Sequence, residues 1–242
     1  MTEVASVTIV PRVGLTVLDQ TLLPGEERVV ELGTLEEVCE AIRALRVRGA
    51  PLLGIVGAAG MAIAAEVGDA SDRSLTAAWQ TLADTRPTAV ELSSIARLAL
   101  DAALEAGAEP AARRKALWAF AQVHHARRIR EDRAMSEFGA ALLSPGASVL
   151  THCNTGALAT GGIGSALGVV RLAWEARKLE RCYATETRPL LQGARLTMWE
   201  LRKLGIPATL LPDTAAASLI SSGPVSYTHL RAHETKANLV CR

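Results

Sequence analysis

The second half of the chain contains three strand-like runs: Ser148-Val149-Leu150-Thr151, Arg181-Cys182-Tyr183-Ala184 and Ala208-Thr209-Leu210-Leu211. Each run is followed by a segment with the pattern of a helix, over residues 163–177, 191–204 and 214–221. Strands and helices that alternate at this spacing are typical of βαβ units and a parallel sheet. The second half of the chain is therefore predicted to be a Rossmann-like parallel α/β domain, and we expect it to be incomplete.

The first 145 residues have a different pattern, a small β-rich entry followed by helices. Short strands are predicted at Val7–Val10, Leu15–Leu18 and Val29–Leu32, with a turn at Pro24-Gly25. The spacing of Thr34 and Glu37 fits a capping box, which predicts the start of the first helix. Further helices are predicted from Pro51 and over residues 71–84, 88–106, 110–130 and 132–143. The pair Pro145-Gly146 is the predicted boundary between the two domains.

Residues 226–242 differ in character from the rest of the chain. They show no strand alternation where the next strand of the sheet is due, and they resemble the translated adapter sequence that ends many assembled gene models. We therefore expect domains at 1–145 and 146–225, a native reading frame that ends near Val225, and a non-native tail. The spacing of His229 and His233 resembles a zinc pair, but the glutamate of a zinc-binding HExxH helix is missing. No function is assigned to them.

Composition narrows the class of protein. Apolar residues make up 49% of the chain but aromatic residues only 3%, so the core is expected to consist mainly of Ala, Leu, Val and Ile. A net charge of +1 argues against a dedicated nucleic-acid binder. The longest apolar run, Ala50–Ala65, is interrupted by Pro51 and three glycines and is shorter than the roughly 20 residues that span a bilayer. We expect a buried helix there and no membrane partner.

The cysteines and the amino terminus indicate the compartment. The four cysteines have no CxxC spacing, which argues against a disulfide framework and a zinc site. No basic segment followed by an apolar core opens the chain, so no signal peptide is predicted. We expect a cytoplasmic protein with reduced thiols.

Polar segments follow the first two strands of the predicted sheet, over residues 151–160 and 186–197. The carboxyl ends of neighbouring parallel strands lie together, and open α/β sheets bind ligands there. The first segment presents a thiol, and the second presents a carboxylate, a guanidinium and a carboxamide. This combination predicts a site for a small anionic, hydroxylated substrate.

Cys153 is the leading candidate for chemistry. A thiol between a strand and the start of a helix has its thiolate favoured by the helix dipole. The alternative is a small buried hydrophobic residue, which is a common role for cysteine. The neighbours Asn154, Thr155 and Gly156 favour a polar, tight turn and hence the chemical role. Cys39 and Cys182 lie in apolar periodic segments and are predicted to be core residues.

Two arginines stand at predicted helix starts. Arg48-Gly49-Ala50-Pro51 combines a guanidinium with free backbone amides, which is suitable for phosphate, and Arg86 before Pro87 repeats the arrangement. The glycine-rich run 161–168 either holds a phosphate or allows close packing. Gln192 is predicted to bond a sugar hydroxyl. Asp213 is predicted to cap a helix, with a polar site role as the alternative.

Five motifs together identify a family. They are Leu18-Asp19-Gln20-Thr21-Leu22-Leu23-Pro24, Val47-Arg48-Gly49-Ala50-Pro51, Arg86-Pro87-Thr88-Ala89-Val90, the Cys153 segment and residues 186–201. The chain resembles the methylthioribose-1-phosphate isomerase family. That family belongs to a larger group with ribose-1,5-bisphosphate isomerases and the alpha, beta and delta subunits of translation factor eIF2B. The run from Gln192 to Thr197, together with Cys153, favours the isomerase over the translation-factor subunits.

The resemblance implies an aldose–ketose isomerisation in methionine salvage, from 5-methylthioribose 1-phosphate to 5-methylthioribulose 1-phosphate, without a cofactor or a metal. It implies that Cys153 is catalytic. It further implies substrate binding by Arg48, Gly49, Ala50, Arg86 and Gln192. By the same resemblance, the full-length form is expected to be a homodimer.

Two departures from the family pattern affect these expectations. Glu91 stands where the family usually has asparagine, which places a negative charge near the presumed phosphate site. The family's catalytic aspartate lies in a Gly-Ala-Asp-Arg-Ile segment that this sequence lacks, so we expect the chain as written to be a fragment and inactive. The alternatives are a ribose-1,5-bisphosphate isomerase and a non-catalytic regulatory subunit of the eIF2B kind.

Overall fold

A computed structural model describes residues 4–230 of the chain, without the side chains of 228–230. These residues form two compact units. The N-terminal unit consists of residues 5–130 with 159–161, and the C-terminal unit consists of residue 4, residues 131–158 and residues 162–230. The predicted division at residue 145 stays a prediction.

The N-terminal unit begins with a three-stranded antiparallel sheet in the order β1-β2-β3. Its strands are β1 (Val7–Val10), β2 (Gly14–Leu18) and β3 (Val29–Leu32). Leu15 and Val17 of β2 are each 1% exposed and point into the core, whereas Val29 of β3 is exposed. The three predicted strands are confirmed, because alternation of apolar and polar residues fixes which face of a strand is buried.

Five helices follow: α1 (Leu35–Arg43), α2 (Ala50–Val67), α3 (Asp72–Thr85), α4 (Val90–Glu105) and α5 (Pro110–Ala141). The predicted capping box is present at α1, where Thr34 and Glu37 bond each other's backbone amides. The prediction of separate helices over 110–130 and 132–143 is wrong, since α5 is continuous. No Gly or Pro lies between residues 111 and 138, so nothing breaks the helix there.

Helix α2 forms the centre of the N-terminal core. Leu52, Ile55 and Ala59 are fully buried, and the helix packs against α4, with Gly57 beside Leu92. By length and composition α2 is the one helix among residues 4–230 that could cross a membrane, but 72% of it is buried inside the protein. The prediction of a buried helix is therefore confirmed.

The C-terminal unit contains a parallel sheet in the order β6-β5-β4-β7. The strands are β4 (Ala147–Thr151), β5 (Leu179–Thr185), β6 (Ala208–Leu211) and β7 (Tyr227–Leu230). The later helices are α6 (Ala157–Thr160), α7 (Ala166–Glu175), α8 (Met198–Lys203) and α9 (Ala216–Ser221). All five residues of β4 are buried, as expected for an inner parallel strand. The predicted mixed α/β fold is confirmed.

The expectation that no strand follows Ser226 is wrong. Tyr227–Leu230 pairs with β4, in the register Val149↔Tyr227. The amide of Ser226 also donates to the carbonyl of Ser148 at 2.8 Å. Four residues suffice here because the edge of β4 supplies the backbone partners, so a strand forms without an alternating pattern. His233 and Cys241 lie outside the described residues.

Candidate active site

Cys153 lies two residues beyond β4 in a strained turn. Its φ is +69°, a left-handed conformation that costs energy for a residue with a side chain. Its amide donates to Thr187 Oγ1 at 2.9 Å, and its carbonyl accepts from Thr197 Oγ1 at 2.6 Å. Gln192 Nε2 donates to Cys153 Sγ at 3.3 Å. The backbone of Cys153 is therefore held on both sides and its thiol is contacted by Gln192, and the residue is half-buried rather than part of the core.

These contacts confirm that the two polar segments meet. Strands β4 and β5 are parallel neighbours, with Thr151 opposite Ala184. The residues that follow each strand therefore come out at the same edge of the sheet. Cys153 from the first segment contacts Thr187, Gln192 and Thr197 from the second.

Two carboxamide oxygens in this site are buried and lack a hydrogen-bond partner within residues 4–230: Gln192 Oε1 and Asn154 Oδ1. Asn154 is 1% exposed, and its amide group donates to Glu200 Oε1 at 2.7 Å. Buried polar atoms are nearly always paired in folded proteins, and an unpaired acceptor costs about 1–3 kcal/mol. Both oxygens therefore have unused hydrogen-bonding capacity within the described residues.

The helix after Cys153 does not support the expected dipole effect. Helix α6 has only four residues, and a single turn sums few peptide dipoles. In the first turn of the next helix, α7, the amide of Leu167 is already satisfied within the protein, because it donates to Thr155 Oγ1 at 3.0 Å. That bond favours packing over phosphate binding for the glycine-rich run. The hydrogen bond from Gln192 is a polar contact to the sulfur that does not depend on a helix.

Asp213 does not cap a helix as predicted. Its carboxylate accepts the amide of Thr187 and the amide of Arg188, each at 2.8 Å. The hydrogen bond from Arg188 is the largest cause that holds the pKa of Asp213 below its ordinary value, and burial opposes it. Glu186 and Arg188 form a local ion pair at 3.2 Å. Asp213 therefore anchors the loop that carries Thr187 next to the thiol.

The two other described cysteines are core residues, as predicted. Cys39 and Cys182 are fully buried. Burial raises the pKa of the Cys182 thiol to about 12, so this thiol stays protonated at neutral pH. Within residues 4–230, no cluster of three or more His, Cys, Asp or Glu side chains is arranged to hold a metal ion.

The N-terminal unit carries the predicted phosphate-binding residues. Arg48 and Gly49 lie in the loop between α1 and α2, and Ala50 begins α2 with Pro51 in its first turn. Gly49 has φ +105°, and a Cβ there would lie 2.4 Å from the carbonyl oxygen of Ala159. The loop is thus pressed against neighbouring backbone, and only glycine fits.

Arg86 lies in a turn between α3 and α4, closed by Ala89 N donating to Arg86 O at 2.9 Å. Among the residues that the structure describes, Arg86 forms no ion pair. Glu91 lies in the first turn of α4, where a carboxylate is favoured by the helix dipole. Its Cγ would be 3.1 Å from a Cβ at Gly54, so it packs against α2.

Residues 46–238 match the initiation factor 2 subunit family. The chain belongs to this family. The motif-based resemblance is confirmed by curated relatives. The methylthioribose-1-phosphate isomerase of Methylococcus capsulatus is 47% identical over 230 residues, covering 93% of this chain and 64% of that protein. The enzyme of the same name from Alcanivorax borkumensis is 45% identical, with coverage of 93% and 65%. The chain thus spans slightly less than two thirds of the length of these relatives.

Solved structures of the initiation factor 2 subunit family agree with the fold. The 5-methylthioribose 1-phosphate isomerase of Pyrococcus horikoshii superposes with a TM-score of 0.86 at 32% identity, covering 93% of this chain and 64% of that chain. A protein of A. fulgidus described as translation initiation factor eIF-2B, subunit delta, superposes with a TM-score of 0.82 at 41% identity, with coverage of 93% and 67%. Both isomerases and translation-factor subunits therefore share this architecture.

Sequence reasoning missed the roles of two polar residues of this family member. Asp19 is fully buried, bonds Arg46, and accepts the amide of Thr21 at 2.9 Å and its hydroxyl at 2.6 Å. Thr187 is not among the predicted site residues, although its hydroxyl accepts the amide of Cys153. The Asp-x-Thr spacing at Asp19 is a local turn signal that could have indicated the first role. No local signal indicates the second, because it depends on the pairing of β4 with β5.

Proposed function

We propose that the full-length protein is an aldose–ketose isomerase that converts 5-methylthioribose 1-phosphate to 5-methylthioribulose 1-phosphate, and that the chain as written, which lacks the Gly-Ala-Asp-Arg-Ile segment, binds this sugar phosphate without turning it over. The observation that carries the proposal is the hydrogen bond from Gln192 to the half-buried Cys153 thiol, beside two carboxamide oxygens that have no hydrogen-bond partner among residues 4–230. A sugar presents hydroxyl donors that suit such acceptors. The relatives named as isomerases of this sugar phosphate support the same substrate.

Different residues are proposed to bind the phosphate and the sugar of the substrate. Arg48, Arg86 and the backbone of Gly49 and Ala50 are proposed to bind the phosphate, because a guanidinium with adjacent amides suits that anion. Gln192 is proposed to orient a sugar hydroxyl. Cys153 is proposed as the catalytic thiol. The phosphate on the anomeric carbon prevents simple ring opening, so acid catalysis must assist cleavage of the ring C–O bond.

The proposal extends to the pathway, the compartment, the cofactor requirement and the oligomeric state of the enzyme. We propose that it acts in methionine salvage in the cytoplasm, requires no cofactor or metal, and is a homodimer in its full-length form. A sugar phosphate is its proposed small-molecule partner.

Binding calorimetry tests the identity of the substrate and does not require catalytic turnover. We expect 5-methylthioribose 1-phosphate to bind and ribose 1,5-bisphosphate to bind at least about tenfold more weakly, because a second phosphate needs its own cationic partners. The reverse order would favour the bisphosphate isomerase. Binding of a nucleotide with no binding of either sugar phosphate would favour a regulatory subunit and overturn the proposal.

Arg86→Gln is expected to weaken binding of 5-methylthioribose 1-phosphate by about 10- to 100-fold, since a hydrogen bond to a charged group contributes about 1.5–3 kcal/mol. The matched control is Arg73→Gln, which removes the same charge from an exposed position on α3. Calorimetry on both variants measures the difference. Equal weakening by the two variants would show a long-range charge effect and would exclude a direct contact from Arg86.

A further inference from the structure

We propose that Asp213 is a positioning residue for the thiol, and that it acts through the strained Thr187 to fix the turn that presents Cys153. Asp213 touches neither Cys153 nor, by this proposal, the substrate. The catalytic meaning of this role rests on the proposed function, whereas the coupling between Asp213 and Cys153 can be tested without any ligand.

The first link is the clamp that Asp213 forms on the loop after β5. Its two carboxylate oxygens each accept one backbone amide at 2.8 Å, from Thr187 and from Arg188. Asp213 itself directly follows Pro212 at the end of β6. One carboxylate thus ties the end of β6 to the loop after β5, in the order in which the strands lie in the sheet.

The second link is the backbone conformation of Thr187. Its φ is +60°, in the left-handed region. For a β-branched residue this conformation is a genuine outlier, and such strain costs about 1–3 kcal/mol unless the surroundings impose it. The clamp by Asp213 lies directly on this residue and supplies that restraint. Strained residues of this kind cluster at functional sites.

The third link joins Thr187 to the thiol-bearing residue. Thr187 Oγ1 accepts the amide of Cys153 at 2.9 Å. Cys153 is itself left-handed, so two strained residues on neighbouring loops are bonded to each other. Thr187 is 5% exposed, which protects this bond from water. A change at Asp213 therefore reaches Cys153 through two hydrogen bonds.

Contacts other than those of Asp213 also hold the two loops, and they offer a competing explanation for the fixed turn at Cys153. His152 Nδ1 lies 2.6 Å from Thr185 Oγ1, and Thr197 holds the carbonyl of Cys153. The ion pair between Glu186 and Arg188 lies on the clamped loop itself. If these contacts fix the turn, Asp213 supports the loop in general and has no specific effect on the thiol.

A double-mutant cycle tests the proposal, with the rate constant for alkylation of Cys153 by iodoacetamide as the readout. Asp213→Asn removes the charge and one of the two acceptor oxygens, and Thr187→Val removes the hydroxyl at nearly constant shape. Each is expected to raise the rate about threefold to tenfold, because the released turn exposes the thiol. The double variant is expected to react no faster than the faster single variant, since both act on one path. Thr187→Ser is expected to restore the original rate.

The matched control is Glu186→Gln, which breaks the ion pair on the same loop but leaves the clamp, and which is expected to leave the rate unchanged. Rates that multiply in the double variant, or an unchanged rate in Asp213→Asn, would overturn the proposal. Should Asp213→Asn fail to fold, hydrogen exchange in the unaltered protein decides, since the amides of Thr187 and Arg188 must exchange slowly although Arg188 is exposed. Fast exchange would contradict the clamp. If the double-mutant cycle gives the expected rates but the protein does not bind the sugar phosphate, the proposed function is refuted and the coupling between Asp213 and Cys153 still holds.

Discussion

A Gly49→Ala variant is expected to melt at a much lower temperature than the unaltered protein and to lose binding of the sugar phosphate. Two effects add at this position. The φ of +105° is rarely adopted by residues with a side chain, and the new Cβ would lie 2.4 Å from the carbonyl oxygen of Ala159 and 2.6 Å from its Cα. Together they are expected to cost about 2–5 kcal/mol, from backbone strain and overpacking.

Gly107→Ala is the matched control for Gly49→Ala. Gly107 has a similar φ of +97°, but nothing lies within 4 Å of its Cβ position. It is expected to cost only the backbone strain of about 1–2 kcal/mol and to leave ligand binding intact. Differential scanning calorimetry measures both melting temperatures. Equal shifts for the two variants would show that the loop of Arg48 is not pressed against Ala159.

Asp19→Ala is the second change with a large expected effect. The carboxylate is fully buried and bonds Arg46, which lies two residues before Arg48, and the amide of Gln20 donates to Arg46 O at 3.0 Å. Removing one partner of a buried pair leaves unsatisfied groups. We expect a loss of about 2–4 kcal/mol, discounted because Arg46 is partly exposed. The binding of sugar phosphate is also expected to weaken, because Asp19 tethers the loop that presents Arg48.

The control for Asp19→Ala is Asp101→Ala, which breaks an exposed ion pair with Arg97. Exposed pairs contribute about 0–1 kcal/mol, so this variant should melt almost normally. The pH dependence gives a further check. Burial alone would raise the pKa of Asp19, but hydrogen bonds from Thr21 and Arg46 hold it below its ordinary value of 3.8. The contribution of Asp19 is therefore fully present above that pH and is lost as the pH falls through the lowered value.

The sequence predicted those helices and strands whose formation depends on residues close to one another in the chain. The capping box of Thr34 and Glu37 and the strand Val7–Val10 are set by hydrogen-bonding capacity and alternation, and both are confirmed. The strand–helix rhythm predicted a parallel sheet, and the order of strands then brought Cys153 and Gln192 together. That part of the candidate site could therefore be predicted from the sequence.

The rest depends on contacts between distant residues. Strand β7 forms because β4 offers an edge, which no property of Tyr227–Leu230 indicates. The role of Asp213 depends on the end of β6 lying beside the loop after β5, so the ordinary expectation of a helix cap was wrong. The continuity of α5 is a different case. The sequence shows that no Gly or Pro lies between residues 111 and 138, and a break in the helix was predicted there although no helix-breaking residue is present.

Alkylation of Cys153 in the presence and absence of 5-methylthioribose 1-phosphate, followed peptide by peptide by mass spectrometry, shows whether the ligand binds at the thiol. Without ligand, Cys153 is expected to react faster than the buried Cys39 and Cys182. Saturating sugar phosphate is expected to slow the reaction of Cys153 at least about tenfold, because the bound ligand contacts Gln192 and blocks access of the alkylating reagent to the thiol. An unchanged rate of Cys153 alkylation at saturating ligand would show that the sugar phosphate does not bind next to Cys153.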